Sequence, residues 1–177
     1  IGARADDPLL RECFTEILLL NLVHELSALR GLLGAPTRIH SATLGPGAES
    51  ILLTLAFGEV QCSLGWVDLP GQTRYEQELS FYSPDERWTL RFPSPFLRSM
   101  PTELIRERGE PGRAESSQER IVSGFDEAFK RELVEFHRCV TSGRAPRTPL
   151  AEGVADVHLL HRILEAVETG SAVDLAA

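Results

Sequence analysis

The spacing of apolar residues changes at Gly34–Pro36, and a fold of one secondary-structure class cannot accommodate both sides of that change. Before it, Leu19, Leu22, Val23, Leu26, Leu29 and Leu33 recur at the helical period within 16–33. Gly34 and Pro36 supply the stop. After it, the runs 37–44, 50–57, 60–67, 75–82 and 87–92 read as strands. Alternation is clearest in the fifth run, where Trp88, Leu90 and Phe92 face one side and Arg87, Thr89 and Arg91 the other. The turn signals 45-GPGA-48, Gly58-Glu59, 69-LPGQ-72 and 83-SPDE-86 separate the runs. Links this short predict an antiparallel meander with one covered face.

The rest of the chain is helical or polar. Residues 1–15 read as an extended lead-in with a turn at Asp6-Asp7-Pro8, and Asp7 or Thr15 as the cap of the first helix. Pro93, Pro95 and Pro101 break the strand pattern, and 102–106 is the candidate for a sixth strand. The stretch 107-ERGEPGRAESSQER-120 is polar and turn-rich, which predicts a mobile loop. In 124–143, Phe125, Phe129, Leu133, Phe136 and Val140 form one stripe, with Glu127–Arg131 as an i,i+4 pair. Ser123 is the expected N-cap and Gly143 the stop. Thr148 and Pro149 open a last helix to about Thr169, striped by Leu150, Val154, Val157, Leu164 and Val167. The expected fold is α+β: a mostly antiparallel, open sheet of five or six strands with helices packed on one face.

Composition narrows the function classes. At 177 residues the chain suits one domain, 1–177. Its net charge is -8, and of its basic residues only Lys130 is lysine. An acidic chain without a clustered basic face argues against nucleic acid or an anionic membrane as partner. No apolar run approaches the ~18 residues of a membrane span. Cys13, Cys62 and Cys139 are widely spaced and odd in number, so they read as buried small hydrophobes in a reducing cytoplasm. The chain opens on Ile1 and its one methionine is Met100, which reads as a segment of a longer protein.

Candidate chemistry centres on the first helix. At about 100° per residue, Leu19, Leu22, Val23, Leu26 and Leu29 share one face, and Ile17, Asn21, His24, Ala28 and Gly31 share the other. That second face lacks the charges of a solvated surface. It suits either close approach by another layer or a pocket wall from which His24 projects. Asn21 and His24, three apart, are placed to meet one ligand, and an imidazole titrates near neutral pH. The competing reading is a core histidine satisfied by a backbone carbonyl. His158 and His161, with Asp156 nearby, lack the further ligands a metal site needs and read as structural, so no metal is expected. Trp66 and Tyr75, on strands read as neighbours, are candidates to border a pocket. No dinucleotide, phosphate-loop or hydrolase motif occurs.

Three segments resemble the C-terminal domain of the glucose-fructose oxidoreductase / inositol dehydrogenase (Gfo/Idh/MocA) family. They are 24-HELSALRGLLGAP-36, 125-FDEAFKRELVEFHRCVTSGRAP-146 and 149-PLAEGVADVHLLHRILEAVETGSAVDL-175. The resemblance implies an oxidoreductase half whose partner, an N-terminal Rossmann domain absent from this chain, holds NAD or NADP and the catalytic lysine. It implies hydride transfer to or from a sugar, inositol or related polyol, with His24 at the place of the family's histidine and so the catalytic candidate; Asn21, Trp66 and Tyr75, from their spacing and strands, are the candidates to meet substrate. It also implies a homo-oligomer, such as a dimer, built on the open sheet face. The segment alone is then inactive and holds no cofactor, and Lys130, in an amphipathic helix, is no substitute for the family lysine. The sequence departs from the family pattern where Leu20 and Leu22 replace its aspartate and glycine, where Ser27 replaces a second aspartate, and where 83-SPDE-86 replaces a glycine hairpin. The alternative is a catalytically degenerate relative that binds or assembles.

Overall fold

The computed structural model describes residues 7–73, 75–110 and 112–175, so the first six residues of the expected lead-in fall outside it. The fold is α+β. The expected domain is built from two compact units, one from Ile1–Gly71 with Thr148–Ala177 and one from Gln72–Arg147. Every strand pairing among the described residues is antiparallel, but there are eight strands in two four-stranded sheets, not one sheet of five or six.

From Pro8 the described residues of the first unit are helical, where a lead-in to residue 15 was expected. Asp7 caps α1 (Pro8–Glu12) by accepting from the Leu9 N–H at 2.9 Å, and Pro8 fits the first turn, which has no use for its missing N–H. Without a break the chain continues as a π-helix (Cys13–Leu22) and then α2 (Val23–Leu33). Gly34 ends it at φ 85°, a backbone setting that disfavours side chains. β1 (Arg38–Leu44), β2 (Ser50–Phe57) and β3 (Val60–Val67) follow, and β8 (Val173–Asp174) returns to pair with β1 in the order β3-β2-β1-β8. A register shift between Ile39 and Ser41 lets Ile39 and Ala42 both point inward. That face carries Ile51, Leu53 and Leu55, with Trp66, Leu64 and Cys62 opposite them on the edge strand.

Helix covers this face. α4 (Leu150–Thr169) packs on β1, on the π segment and on α2. Ile17, Leu18, Leu22, Leu26, Ile39, Ile51, Leu55, Leu160 and Ile163 are at most 2% exposed. At about 1.5–3 kcal/mol for each fully buried aliphatic side chain, this cluster is what holds the unit together. The expected stripe of α4 needs correction. Leu159, Leu160, Ile163 and Ala166 are buried, whereas Leu150, Val154 and Val157 are exposed, so the helix is apolar on two faces and only one is covered.

The second unit is a meander of β4 (Gln77–Tyr82), β5 (Glu86–Phe92), β6 (Glu103–Gly109) and β7 (Ser116–Val122), followed by α3 (Ala128–Ser142). The stretch expected as a mobile loop therefore supplies the end of β6, a turn and most of β7. Its polar residues pair across strands, with Arg106 opposite Glu119 and Glu107 opposite Gln118. Register puts Leu79, Phe81, Trp88, Leu90, Leu104 and Ile121 on one face and Glu78, Arg87, Arg91, Glu103, Glu107 and Arg120 on the other. Neither face is sealed, and Thr89 is the one buried residue among those described in this unit.

α3 also departs from expectation. Ser123 closes β7, with its N–H donating to the Thr102 carbonyl at 3.0 Å, and the residue before the helix is Glu127. The side-chain pair is Lys130–Asp126 at 3.0 Å, while Glu127 accepts the Arg131 N–H through its carbonyl. None of the α3 residues is buried, and Phe125, Phe129, Leu133, Phe136 and Val140 are 52–68% exposed. Packing of helices on one sheet face thus holds in the first unit and does not extend to α3.

Candidate functional site

The π segment sets the geometry of the candidate site. Its buried residues are Cys13, Ile17, Leu18 and Leu22, a spacing of four to five that matches i→i+5 closure and not the 3.6 period. Ile17, expected beside Asn21 and His24, is therefore in the core, and Leu19, expected in the core, is 38% exposed. Each turn of π-helix takes more residues than a turn of α-helix, so the α phase carried back from α2 misplaces Ile17 and Leu19.

Asn21, His24, Ala28 and Gly31 share the outward face of the π segment and α2, and all are exposed. The exposed imidazole rules out the reading of a core histidine satisfied by a backbone carbonyl. Asn21 is committed locally, its carboxamide Nδ2 donating to the Glu16 carbonyl at 2.6 Å. Leu20, at the place of the family aspartate, is 61% exposed and presents an alkyl chain to solvent.

Arg30, one turn before the helix ends, acts on the inner side. Its guanidinium donates to the Asp156 carboxylate, to the Glu152 carboxylate at 2.8 Å and to the Glu152 carbonyl at 3.2 Å. Asp156 is only 5% exposed. In sequence Asp156 stands beside the histidines, and its pairing with Arg30, 126 positions away, is not visible there. The available signal was an acid at an inward position of α4, one turn before Leu159 and Leu160, which demands a buried cation.

The other candidates separate. Trp66 is half-buried at the edge of the first sheet, opposite Ile51 on the covered face. Tyr75 belongs to the second unit, precedes β4 and donates its hydroxyl to the Gln77 side chain at 2.7 Å. They are not on neighbouring strands, because β3 and β4 belong to different sheets. His161 stacks on Phe14, with ring centroids 4.6 Å apart, and so belongs to the packing between α4 and the π segment. With His158 it also edges a shallow apolar groove of about 500 Å³, walled by Leu150, Gly153, Val154 and Val157. Among the described residues no group of three His, Cys, Asp or Glu side chains converges as a metal site. Burial pushes the Cys13 thiol up to about 11, consistent with a packing role.

No protein-family model matches the chain, and no curated protein does. Solved structures do. A protein named as an NADPH-dependent oxidoreductase from Desulfitobacterium hafniense superposes with a TM-score of 0.70 at 15% identity, covering 89% of this chain and 47% of its own. Over that half the two proteins share a fold. YvaA of Bacillus subtilis, named as an oxidoreductase, gives 0.65 at 13% identity over 87% of this chain and 50% of its own. A 3-ketoreductase from Actinomadura kijaniata, solved with NADP and TDP-benzene, gives 0.61 at 19% identity over 84% and 44%. The chain thus spans about half the length of each of these oxidoreductases, as the Gfo/Idh/MocA resemblance implies for a single domain of a two-domain protein.

Proposed function

We propose that this chain is the substrate-side domain of an NAD- or NADP-dependent oxidoreductase acting on a sugar, inositol or related polyol by hydride transfer. The observation that carries the reading is the shared fold with about half of several oxidoreductases, one of them solved with NADP. In this reading a nicotinamide-binding half supplies cofactor and lysine, and this chain supplies the outward face of the π segment and α2. His24 stands there as proton donor or acceptor to the reacting oxygen, since imidazole exchanges protons near neutral pH. Asn21 offers a carboxamide to a neighbouring hydroxyl. The apolar face of β4–β7, which seals no core of its own, goes to a second copy of the chain. Three free cysteines suit a reducing cytoplasm.

A second reading is favoured by Leu20. Where the family carries a carboxylate this chain exposes leucine, and a hydroxyl meeting that side chain finds no base. A catalytically degenerate relative that binds or assembles fits that substitution.

The deciding experiment uses the full-length polypeptide that carries this chain. Nicotinamide absorbance is followed against a panel of sugars, inositols, polyols and their keto forms. Turnover is expected, with His24→Ala lowering it about 100-fold, the scale of general acid–base catalysis, and leaving cofactor affinity intact. No turnover across the panel overturns the catalytic reading in favour of the second. Turnover unchanged in His24→Ala removes the histidine from the mechanism.

A further inference from the structure

The π-helix is the least ordinary element in the chain, since such closure is rare and usually confined to single turns. Here it runs for ten residues, Cys13–Leu22, and continues directly into α-helix. The sequence offers that segment two registers. In the observed one Cys13, Ile17, Leu18 and Leu22 are buried. Carrying the frame of α2 backward at about 100° per residue instead brings Leu18, Leu19 and Leu22 over Leu26 and turns Cys13 and Ile17 to solvent. The run 17-ILLL-20 gives either register an aliphatic residue to bury, so hydrophobic pattern alone does not choose.

Asn21 does distinguish the registers. Its Nδ2 donates to the carbonyl of Glu16, five residues back, which is the acceptor that π closure assigns to the Asn21 main-chain N–H. In an α-helix that carbonyl is taken by the residue four on, Leu20. The carboxamide therefore adds a bond specific to the wide turn.

We propose that residues 13–22 form a two-register helix, latched in its π state by the Asn21 carboxamide, and that releasing the latch rewinds the segment toward α and turns Cys13 and Ile17 out of the core. If Asn21 meets substrate, which rests on the function proposed above, a hydroxyl that takes the carboxamide releases the latch, and helix register becomes coupled to occupancy. The latch itself stands on the Asn21–Glu16 bond and the burial pattern, and its test needs no substrate.

Cys13 is the reporter, being 0% exposed in the observed register. In the chain carrying Cys62→Ser and Cys139→Ser, the labelling rate of Cys13 by a thiol reagent is measured beside hydrogen exchange at Leu160 and Ile163. Asn21→Ala is expected to speed labelling about fivefold, the effect of one lost hydrogen bond on a local opening, with exchange in α4 unchanged. Asn21→Asp, which keeps the shape but donates nothing, is expected to do the same. An unchanged rate in both variants overturns the proposal. So does acceleration matched by equal loss of protection in α4, which is global unfolding, or acceleration by alanine but not aspartate, which is loss of bulk.

Discussion

Arg30 on α2 and Asp156 on α4, 126 positions apart in sequence, share a hydrogen bond that joins the two helices covering the first sheet. Their side chains are 12% and 6% exposed, so each is the other's compensation for lost hydration. Glu152 adds a second contact at 2.8 Å but is itself 53% exposed. Asp156→Ala leaves a largely buried guanidinium with one solvated partner and is expected to cost about 3 kcal/mol. Glu152→Ala is expected to cost less than about 1 kcal/mol. Urea denaturation of the two variants checks the contrast, and equal losses would rule out Asp156 as the dominant partner.

Acid is expected to loosen the second unit first. The guanidiniums of Arg91, Arg106 and Arg120 hydrogen-bond Glu78, Glu86 and Glu103 and hold these carboxyls below their ordinary value of 4.5. Lys130 does the same for Asp126. A carboxyl lowered in the folded state stabilises above its unfolded pKa and loses that contribution as pH falls through the lowered folded value. All four lie in Gln72–Arg147. Trp88 reports on this directly, because its indole donates to Glu86 at 3.0 Å and lies under the Arg106 guanidinium at 4.8 Å. In Trp66→Phe, Trp88 fluorescence is expected to change as pH drops below about 4.5, ahead of loss of exchange protection in α4. Simultaneous loss would contradict the order.

Helix phase gives a cleaner mutational contrast. Ile17 is 1% exposed and Leu19 38%. Ile17→Ala is expected to destabilise by about 2–4 kcal/mol and Leu19→Ala by less than about 1 kcal/mol. An α-helical segment would reverse the ranking, so thermal or urea melts of the pair read the helix type in solution.

The proposed second copy also makes a definite demand. Leu90 is central on the apolar face of β4–β7, between Leu79 and Leu104. Leu90→Glu is expected to convert an associating chain to a monomer by light scattering, while Glu107→Ala on the charged face leaves association as it was. A monomeric parent chain at tens of micromolar would dispose of the interface.

Much of the fold was legible where local signals were strong. Gly34, the first five strands and both late helices follow from period and punctuation, and strand bounds at 50–57 and 60–67 agree to the residue. β7 was hidden because its pairing is written in cross-strand partners such as Arg120–Glu103, which composition reads as a polar loop. The site was less legible than the fold. A 3.6-residue wheel cannot anticipate a π segment, so Ile17 fell on the wrong face although Asn21 and His24 fell on the right one. Asp156 looked like a neighbour of histidines because its true partner is far away in sequence.

The division of the first unit has a consequence for how the chain is made. Its sheet and helical cover are assembled from two stretches, with all of Gln72–Arg147 synthesised between them. β1 cannot meet β8, nor Arg30 meet Asp156, until that insertion has left the ribosome. During that interval Ile17, Leu22, Leu26 and Leu55 lack α4, while the β4–β7 meander, whose contacts are local, is already complete. The nascent chain therefore carries its most apolar surface uncovered for longest, and its capture by chaperones should peak before codon 148 is translated and fall once α4 emerges.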